Sequence, residues 1–169
     1  MQLLLFGKKL EQLRYGENPH QSAKLKVETT SPIDFLNPLQ GKQISYNNVA
    51  DAMAAWNCVN EFEKPSVCIV KHTNPCGVAS DKDLENAYKK AFSTDPTSAF
   101  GGVIALNQKA NSKVISSIMA NQFVEVLIAP DIDQEAINLL KKKNILLKTG
   151  IGETLFNENL NPPPNGIAN

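Results

Sequence analysis

Lysine and histidine stand side by side in residues 71–77, KHTNPCG, directly after the apolar run of residues 67–70. Such a run predicts a buried strand, so Lys71 is expected to lie partly desolvated at its end. Burial lowers the pKa of a lysine and makes it a better proton donor or electrophile. A histidine titrates near neutral pH and can act as a base. The segment therefore predicts acid–base chemistry at Lys71 and His72, and the alternative interpretation is a polar loop with a chance histidine.

Two further segments are rich in groups that bind ligands. Residues 13–21, LRYGENPHQ, combine arginine, tyrosine, asparagine, histidine and glutamine without a helical period, and an arginine could hold a phosphate in a fork geometry. Residues 95–102, DPTSAFGG, contain Ser98 and paired glycines, whose backbone N–H groups could face an anion or a planar ring. The alternatives are an exposed polar loop for the first segment and an ordinary turn for the second.

Cysteine and histidine are too scattered to predict a metal site. Cys58, Cys68 and Cys76 form no C-x-x-C motif, and His20 and His72 lie far apart, whereas a structural zinc site needs about four clustered ligands. We therefore predict free thiols and no metal. Zinc nucleobase deaminases use H-x-E followed by P-C-x-x-C, and here the P-C pair has no second cysteine after it. Metal-dependent nucleobase hydrolysis is thereby disfavoured.

The spacing of apolar residues predicts the elements that position these segments. Helices are expected to begin at Asn47 or Asn48, at Asp83, before Val114 and at Asp133. Strands are expected over residues 24–28, 67–70, 103–106, 124–128 and 144–148. This alternation predicts an α/β fold with a largely parallel sheet and helices on both faces. In such sheets ligands bind in loops beyond the carboxyl ends of the strands.

Composition excludes several classes of protein. Seventeen Lys and Arg against seventeen Asp and Glu give a formal net charge of zero, which argues against a nucleic-acid-binding module. A hydrophobic content of 42% is enough for a core. Apolar runs stay well below the ~18 residues of a membrane span, and residues 1–6 lack the flanking features of a signal peptide. We expect a cytoplasmic protein without nucleic-acid or membrane partners.

Three regions are expected along the chain. Residues 1–46 would form an irregular segment with a short strand and the 13–21 motif, and residues 47–150 an α/β subdomain. Residues 151–169 contain NPPPNG, which cannot continue a helix or a sheet. We interpret them as a Pro-rich tail or junction.

Five segments taken in order closely resemble one family. They are LRYGENPHQ, SYNNVADA, KHTNPCG, DPTSAFGG and FVEVLIAP, beginning at residues 13, 45, 71, 95 and 123. From about residue 13 to residue 150 the chain resembles the bifunctional purine biosynthesis proteins, and within them the first half of the AICAR transformylase domain (phosphoribosylaminoimidazolecarboxamide formyltransferase). The resemblance implies a three-layer cytidine-deaminase-like sandwich with a mostly parallel sheet. The family's IMP cyclohydrolase domain and second transformylase half are not seen, so we expect a fragment without activity of its own.

The resemblance also implies a reaction and its residues. Formyl transfer would run from 10-formyltetrahydrofolate, a co-substrate, to the 5-amino group of the nucleotide AICAR during IMP biosynthesis. His72 would be the base and Lys71 would stabilise the oxyanion. The positions that resemble the family's nucleotide-binding residues are Arg14, Tyr15, His20, Asn48, Gly101 and Glu125. The family works as a homodimer with sites at the subunit interface. The alternative hypothesis is a non-catalytic deaminase-like module that only contributes surface to a dimer.

Overall fold

The computed structural model describes residues 9–27, 31–140 and 145–149, so the Pro-rich tail predicted for residues 151–169 lies outside the described residues. Its strands are β1 Lys9–Gln12, β2 Lys24–Val27, β3 Ser66–Lys71, β4 Asn74–Ser80, β5 Val103–Leu106, β6 Val126–Ala129 and β7 Ile145–Lys148. Its helices are α1 Tyr46–Val59, α2 Leu84–Thr94, α3 Pro96–Ala99, α4 Ser112–Asn121 and α5 Gln134–Leu139.

Five strands form a mixed sheet in the order β4-β3-β5-β6-β7, and β1 and β2 form a separate antiparallel pair. β3 is antiparallel to both β4 and β5, whereas β5, β6 and β7 are parallel to one another. The α/β prediction is confirmed, but the prediction of a mostly parallel sheet is wrong. A buried apolar run reports that both faces of a strand are covered, and it does not report the strand's direction.

The central sheet has a hydrophobic core on each face. In β3, Val67 and Ile69 belong to the core under α2, α4 and α5, while Cys68 and Val70 belong to the core under α1. The other central strands alternate in the same way, as expected for side chains that point to opposite faces with a period of two. Helices therefore cover both faces of the sheet, as the sequence predicts.

The segment before α1 completes the core on the α1 side. Leu13, Ile33, Phe35 and Ile44 are buried there. The same segment covers β7, because backbone hydrogen bonds join residues 39 and 40 to Leu146 at 2.9 and 3.1 Å. An exposed strand edge would offer unpaired N–H and C=O groups to other chains, and this contact occupies part of that edge.

Side-chain caps mark the start of α1 to α4, whereas α5 begins after Asp133 as predicted but without a hydrogen bond from that side chain. Asp83 caps α2 as predicted, accepting a hydrogen bond from the N–H of Asn86 at 2.8 Å. The predicted cap of α1 is wrong: Ser45 is the N-cap, and Asn48 is the third residue of a capping box with it. Within the described part of the chain, no helix has both the length and the apolar character to span a membrane.

Strand β4 was not predicted from the sequence, because proline and glycine interrupt its pattern. Pro75 is tolerated since β4 is an edge strand of the sheet. Gly77 is required by packing, because a Cβ atom there would lie 2.0 Å from the carbonyl oxygen of Ala91 in α2. The close approach of α2 to β4 therefore depends on this glycine.

Candidate active site

Residues at the ends of three neighbouring strands meet at one edge of the sheet, the edge formed by strand ends. Because β3 is antiparallel to β5, its carboxyl end lies beside the amino end of β5, with Val70 paired to Val103. β5 is parallel to β6, so the amino end of β6 comes next. This arrangement brings Lys71, Gly101 and Glu125 to the same edge. Only Lys71 lies at a carboxyl strand end, the location expected for ligand loops; the other two precede their strands.

Lys71 and His72 lie on a tight β-hairpin turn. Strands β3 and β4 are joined by His72 and Thr73, between the paired residues Lys71 and Asn74. Both loop residues have positive φ angles, 54° and 61°, which identifies a type I′ turn. His72 is exposed at the turn, and Lys71 is half-buried beside it. The partial desolvation predicted for Lys71 is therefore present, and His72 is accessible to a ligand.

The Lys71 ammonium joins this hairpin to the turn before β5. Its Nζ donates a hydrogen bond of 2.9 Å to the carbonyl oxygen of Phe100. An ammonium carries three N–H donors, and this bond uses one of them. The Phe100 side chain is 60% exposed, and its ring centroid lies 6.1 Å from that of Phe123. Lys71 is thus oriented by a backbone group next to an open surface.

The paired glycines do not present free backbone N–H groups. Gly101 donates its N–H to the carbonyl of Phe123 at 2.8 Å, and Gly102 donates to the last residue of α3 at 3.0 Å. The N–H of Ser98 is bound by the Asp95 carboxylate at 2.9 Å. The expectation that these groups face an anion or a ring is wrong, because the turn and the cap of α3 use them internally.

Arg14, Tyr15 and Glu125 form a charged cluster at the same edge. Backbone hydrogen bonds to residues 44–46 hold the arginine and tyrosine in place. The Arg14 guanidinium donates to the Tyr15 hydroxyl at 3.0 Å and lies 4.7 Å from the centroid of its ring. One of its nitrogens is 3.9 Å from Oε1 of Glu125. Lys42 donates to the same oxygen at 2.8 Å.

Lys42 also belongs to this cluster, although no sequence motif contains it. It lies 83 residues before Glu125, and no spacing rule connects the two. With Arg14 and Lys42 positive and Glu125 negative, the cluster carries one excess positive charge. Such a cluster favours an anionic group of a ligand.

Asn48 and His20, the remaining predicted binding residues, have different surroundings. Asn48 is buried, and its side-chain oxygen accepts the N–H of Ser45 at 3.1 Å, so it supports the start of α1. His20 is exposed in a loop closed by a 2.8 Å hydrogen bond between Gly16 and Gln21. This loop is tied to α1 by residue 47, whose side-chain amide donates to the carbonyl of residue 17 at 3.1 Å.

Comparison with known proteins identifies the family. A family model described as AICARFT/IMPCHase bienzyme matches residues 2–158 of the 169-residue chain. The chain belongs to this family. The resemblance inferred from the five sequence segments is thereby confirmed. Membership of the AICARFT/IMPCHase family implies a role in purine biosynthesis.

The environment of Cys76, the cysteine of the KHTNPCG segment in this AICARFT/IMPCHase chain, raises the pKa of its thiol. Burial raises the pKa of Cys76, and the carboxylates of Asp95 and Asp51 raise it further, against the opposing effects of a backbone hydrogen bond and of Lys71. The thiolate is the nucleophilic form of cysteine, so a raised pKa disfavours a nucleophilic role for this side chain. Cys76 is therefore a poor candidate nucleophile, and Lys71 and His72 remain the candidate reactive side chains of this segment.

Cys58 and Cys68 are free thiols as well. Burial raises the pKa of Cys68, with a further contribution from its neighbour Cys58. Among residues 9–27, 31–140 and 145–149, no group of three or more His, Cys, Asp and Glu side chains is placed to hold a metal ion.

Proposed function

We propose that this chain is the first half of an AICAR transformylase domain, and that the complete domain transfers a formyl group from 10-formyltetrahydrofolate to the 5-amino group of AICAR, while this half alone has no turnover. One observation carries the proposal: the Lys71–His72 turn and the Arg14–Glu125 cluster lie at the same sheet edge. They flank β5, so about two strand spacings, or ~10 Å, separate them. A nucleoside monophosphate is long enough to reach both.

His72 and Lys71 have complementary tasks in this reaction. A bond forms between the amino nitrogen and the formyl carbon, the bond from that carbon to the folate nitrogen breaks, and one proton passes from the amine to the folate nitrogen. The exposed imidazole of His72 can take this proton. The ammonium of Lys71 can stabilise negative charge on the formyl oxygen with the N–H donors that are not bonded to the Phe100 carbonyl.

The cationic cluster would hold the nucleotide. A phosphate binds strongly to a guanidinium because two parallel N–H groups match two of its oxygens. The excess positive charge of Arg14 and Lys42 over Glu125 supports an anion at this place. Tyr15 orients the guanidinium through its hydroxyl. This gives Arg14 a role in binding and not in the chemical step.

We further propose a deaminase-like fold, a cytoplasmic location and a homodimer whose active site lies at the subunit interface. The open character of the site edge supports the assembly, since Phe100 and Tyr46 are 60% and 48% exposed there. Large exposed aromatic side chains often mark surfaces that another chain or a ligand covers. Light scattering on the purified natural protein would measure the oligomeric state directly.

The test compares both activities of the family in the natural full-length protein. We expect formyl transfer to AICAR, and in the Arg14→Ala variant a Michaelis constant for AICAR raised about ten- to a hundredfold, as for a lost hydrogen bond to a charged group. Lys113→Ala, which removes an exposed cation of α4, is the matched control and should leave that constant unchanged. An unchanged constant for Arg14→Ala would remove this residue from the site.

Absence of formyl transfer in an intact dimer would favour the non-catalytic assembly module. Cyclohydrolase activity alone would assign the chain to the family's other reaction. Calorimetric titration of AICAR into the 169-residue chain, and into a longer chain that includes the following half, would test whether this chain is a partial domain.

A further inference from the structure

The hairpin turn that presents His72 has an unfavourable backbone conformation. Both loop residues, His72 and Thr73, have positive φ angles of 54° and 61°. Type I′ turns usually place Asn and Gly at these positions, since most side chains clash with the backbone there. A β-branched residue such as threonine is especially rare in this region. Such a conformation persists only when surrounding contacts enforce it.

Three hydrogen bonds enforce this conformation, and one of them comes from another element. The Thr73 hydroxyl donates to the His72 carbonyl at 2.7 Å, and the Asn74 amide donates to the same carbonyl at 2.8 Å. Both are local to the turn. The third joins the Thr73 N–H to Oδ1 of Asp51, a residue of α1, at 2.7 Å. This third bond ties the turn to a helix outside the hairpin.

We propose that Asp51 is a positioning residue that holds the His72–Thr73 turn in its unfavourable conformation and so orients the imidazole of His72. A hydrogen bond to an ionised carboxylate is about twice as strong as one between neutral groups, which suits it to oppose backbone strain. Without it, the turn would relax and the imidazole of His72 would lose its fixed position at the end of the hairpin. The inference rests on the proposed role of His72 as the base.

The first experiment measures the turn itself and needs no activity. In the 169-residue chain, NMR would record amide hydrogen exchange at Thr73 for the natural protein and for the variants Asp51→Ala and Asp51→Asn. We expect exchange at Thr73 to accelerate roughly ten- to a hundredfold in Asp51→Ala. Asp51→Asn keeps an oxygen acceptor and should retain most of the protection. Asp83→Ala, which removes a carboxylate bonded to the N–H of Asn86, controls for a general loss of stability.

The second experiment asks whether the turn matters to the reaction. In the natural full-length protein, Asp51→Ala should lower kcat for formyl transfer by tenfold or more, roughly as for a misplaced catalytic group, with little change in the Michaelis constant for AICAR. Asp51→Asn should restore most of kcat, and Asp83→Ala should leave it unchanged.

Two results would overturn the proposal: unchanged exchange at Thr73 in Asp51→Ala, or faster exchange with unchanged kcat. A failure of the proposed function is recognised separately. If His72→Ala keeps full turnover, His72 is not the base, whatever the exchange rates at Thr73 are.

Discussion

Two neighbouring turns at the site edge both contain residues with positive φ angles, but one uses residues with side chains and the other uses glycine. The turn between β3 and β4 places His72 and Thr73 at positive φ, where side chains are unfavourable. The turn before β5 has Gly101 at positive φ, 76°, and Gly102 where a Cβ atom would lie 2.9 Å from the carbonyl oxygen of Val70. The first turn therefore has a strained backbone, whereas glycine, which has no side chain, spares the second turn this strain.

Under the proposed function, this difference separates the turn that carries the base from a turn that supports the sheet. Gly101 donates its N–H to the carbonyl of Phe123 and Gly102 donates to Ala99, and the missing side chain of Gly102 lets this turn lie close to Val70 of β3. The His72–Thr73 turn carries an exposed side chain that can react with a ligand, and the protein tolerates the strain around it. Strain that persists near a candidate site is a reason to look for function there.

The largest effect is expected at the strained turn. In the natural full-length protein, His72→Ala should lower kcat by ~10²–10⁴, or about 3–5 kcal/mol of barrier, because a positioned base acts in the transition state. The Michaelis constant for AICAR should change far less. Lys71→Ala should reduce kcat in the same manner, because an oxyanion partner also acts mainly in the transition state. Steady-state kinetics would measure both constants.

Thermal unfolding of the same His72→Ala protein supplies the control. If His72 only packs against the strand end, the variant would lose melting temperature and keep its turnover per folded molecule. That outcome would end the catalytic assignment and would make the two turns equivalent in role.

The supporting turn should respond in stability first. In Gly102→Ala, the added methyl group would meet the carbonyl oxygens of Val70 and Ala99 at 2.9 and 3.1 Å. We expect the free energy of unfolding to fall by about 1–3 kcal/mol, the usual effect of overpacking. Urea denaturation would measure it. A variant as stable as the natural protein would show that the approach of β5 to β3 does not depend on this glycine.

The sequence predicted elements well wherever local rules decide the structure. Asp83 begins α2, and residues 103–106 form β5, because a capping carboxylate and an apolar run act over a few neighbouring residues. β4 escaped prediction since Pro75 and Gly77 interrupt a strand pattern, and only its edge position and the contact with α2 explain them. The antiparallel direction of β3 was not predicted either, because strand direction depends on how the chain returns to the sheet.

The site was predictable to the extent that it consists of short segments. Residue type and the preceding apolar run are enough to select Lys71 and His72 as candidates within residues 71–77. Lys42 and Asp51 act through partners that lie 83 and 22 residues away, and no local pattern reports such contacts. The prediction of free N–H groups at the glycines was wrong for the same reason, because the bond from Gly101 to Phe123 depends on tertiary packing.

The smallest effect should come from giving the strained turn the residues that a type I′ turn prefers. In the double variant His72→Asn, Thr73→Gly, relief of two unfavourable φ angles contributes ~2–3 kcal/mol to stability. The lost Thr73 hydroxyl bond and the greater freedom of glycine in the unfolded chain oppose it by ~1–2 kcal/mol. We expect a net gain of about 1 kcal/mol in the free energy of unfolding, measured by urea denaturation.

This more stable variant should lack transformylase turnover, because the imidazole is gone while the Asp51 bond to the backbone N–H of residue 73 can remain. The single variant Thr73→Gly is the matched control: it keeps His72 and should keep much of the turnover. A double variant that loses stability would mean that the natural turn is not strained, and that the contrast with Gly101 and Gly102 has another cause. A gain in stability with loss of turnover would mean that the side chain at position 72 is retained for its chemistry against the preference of the backbone.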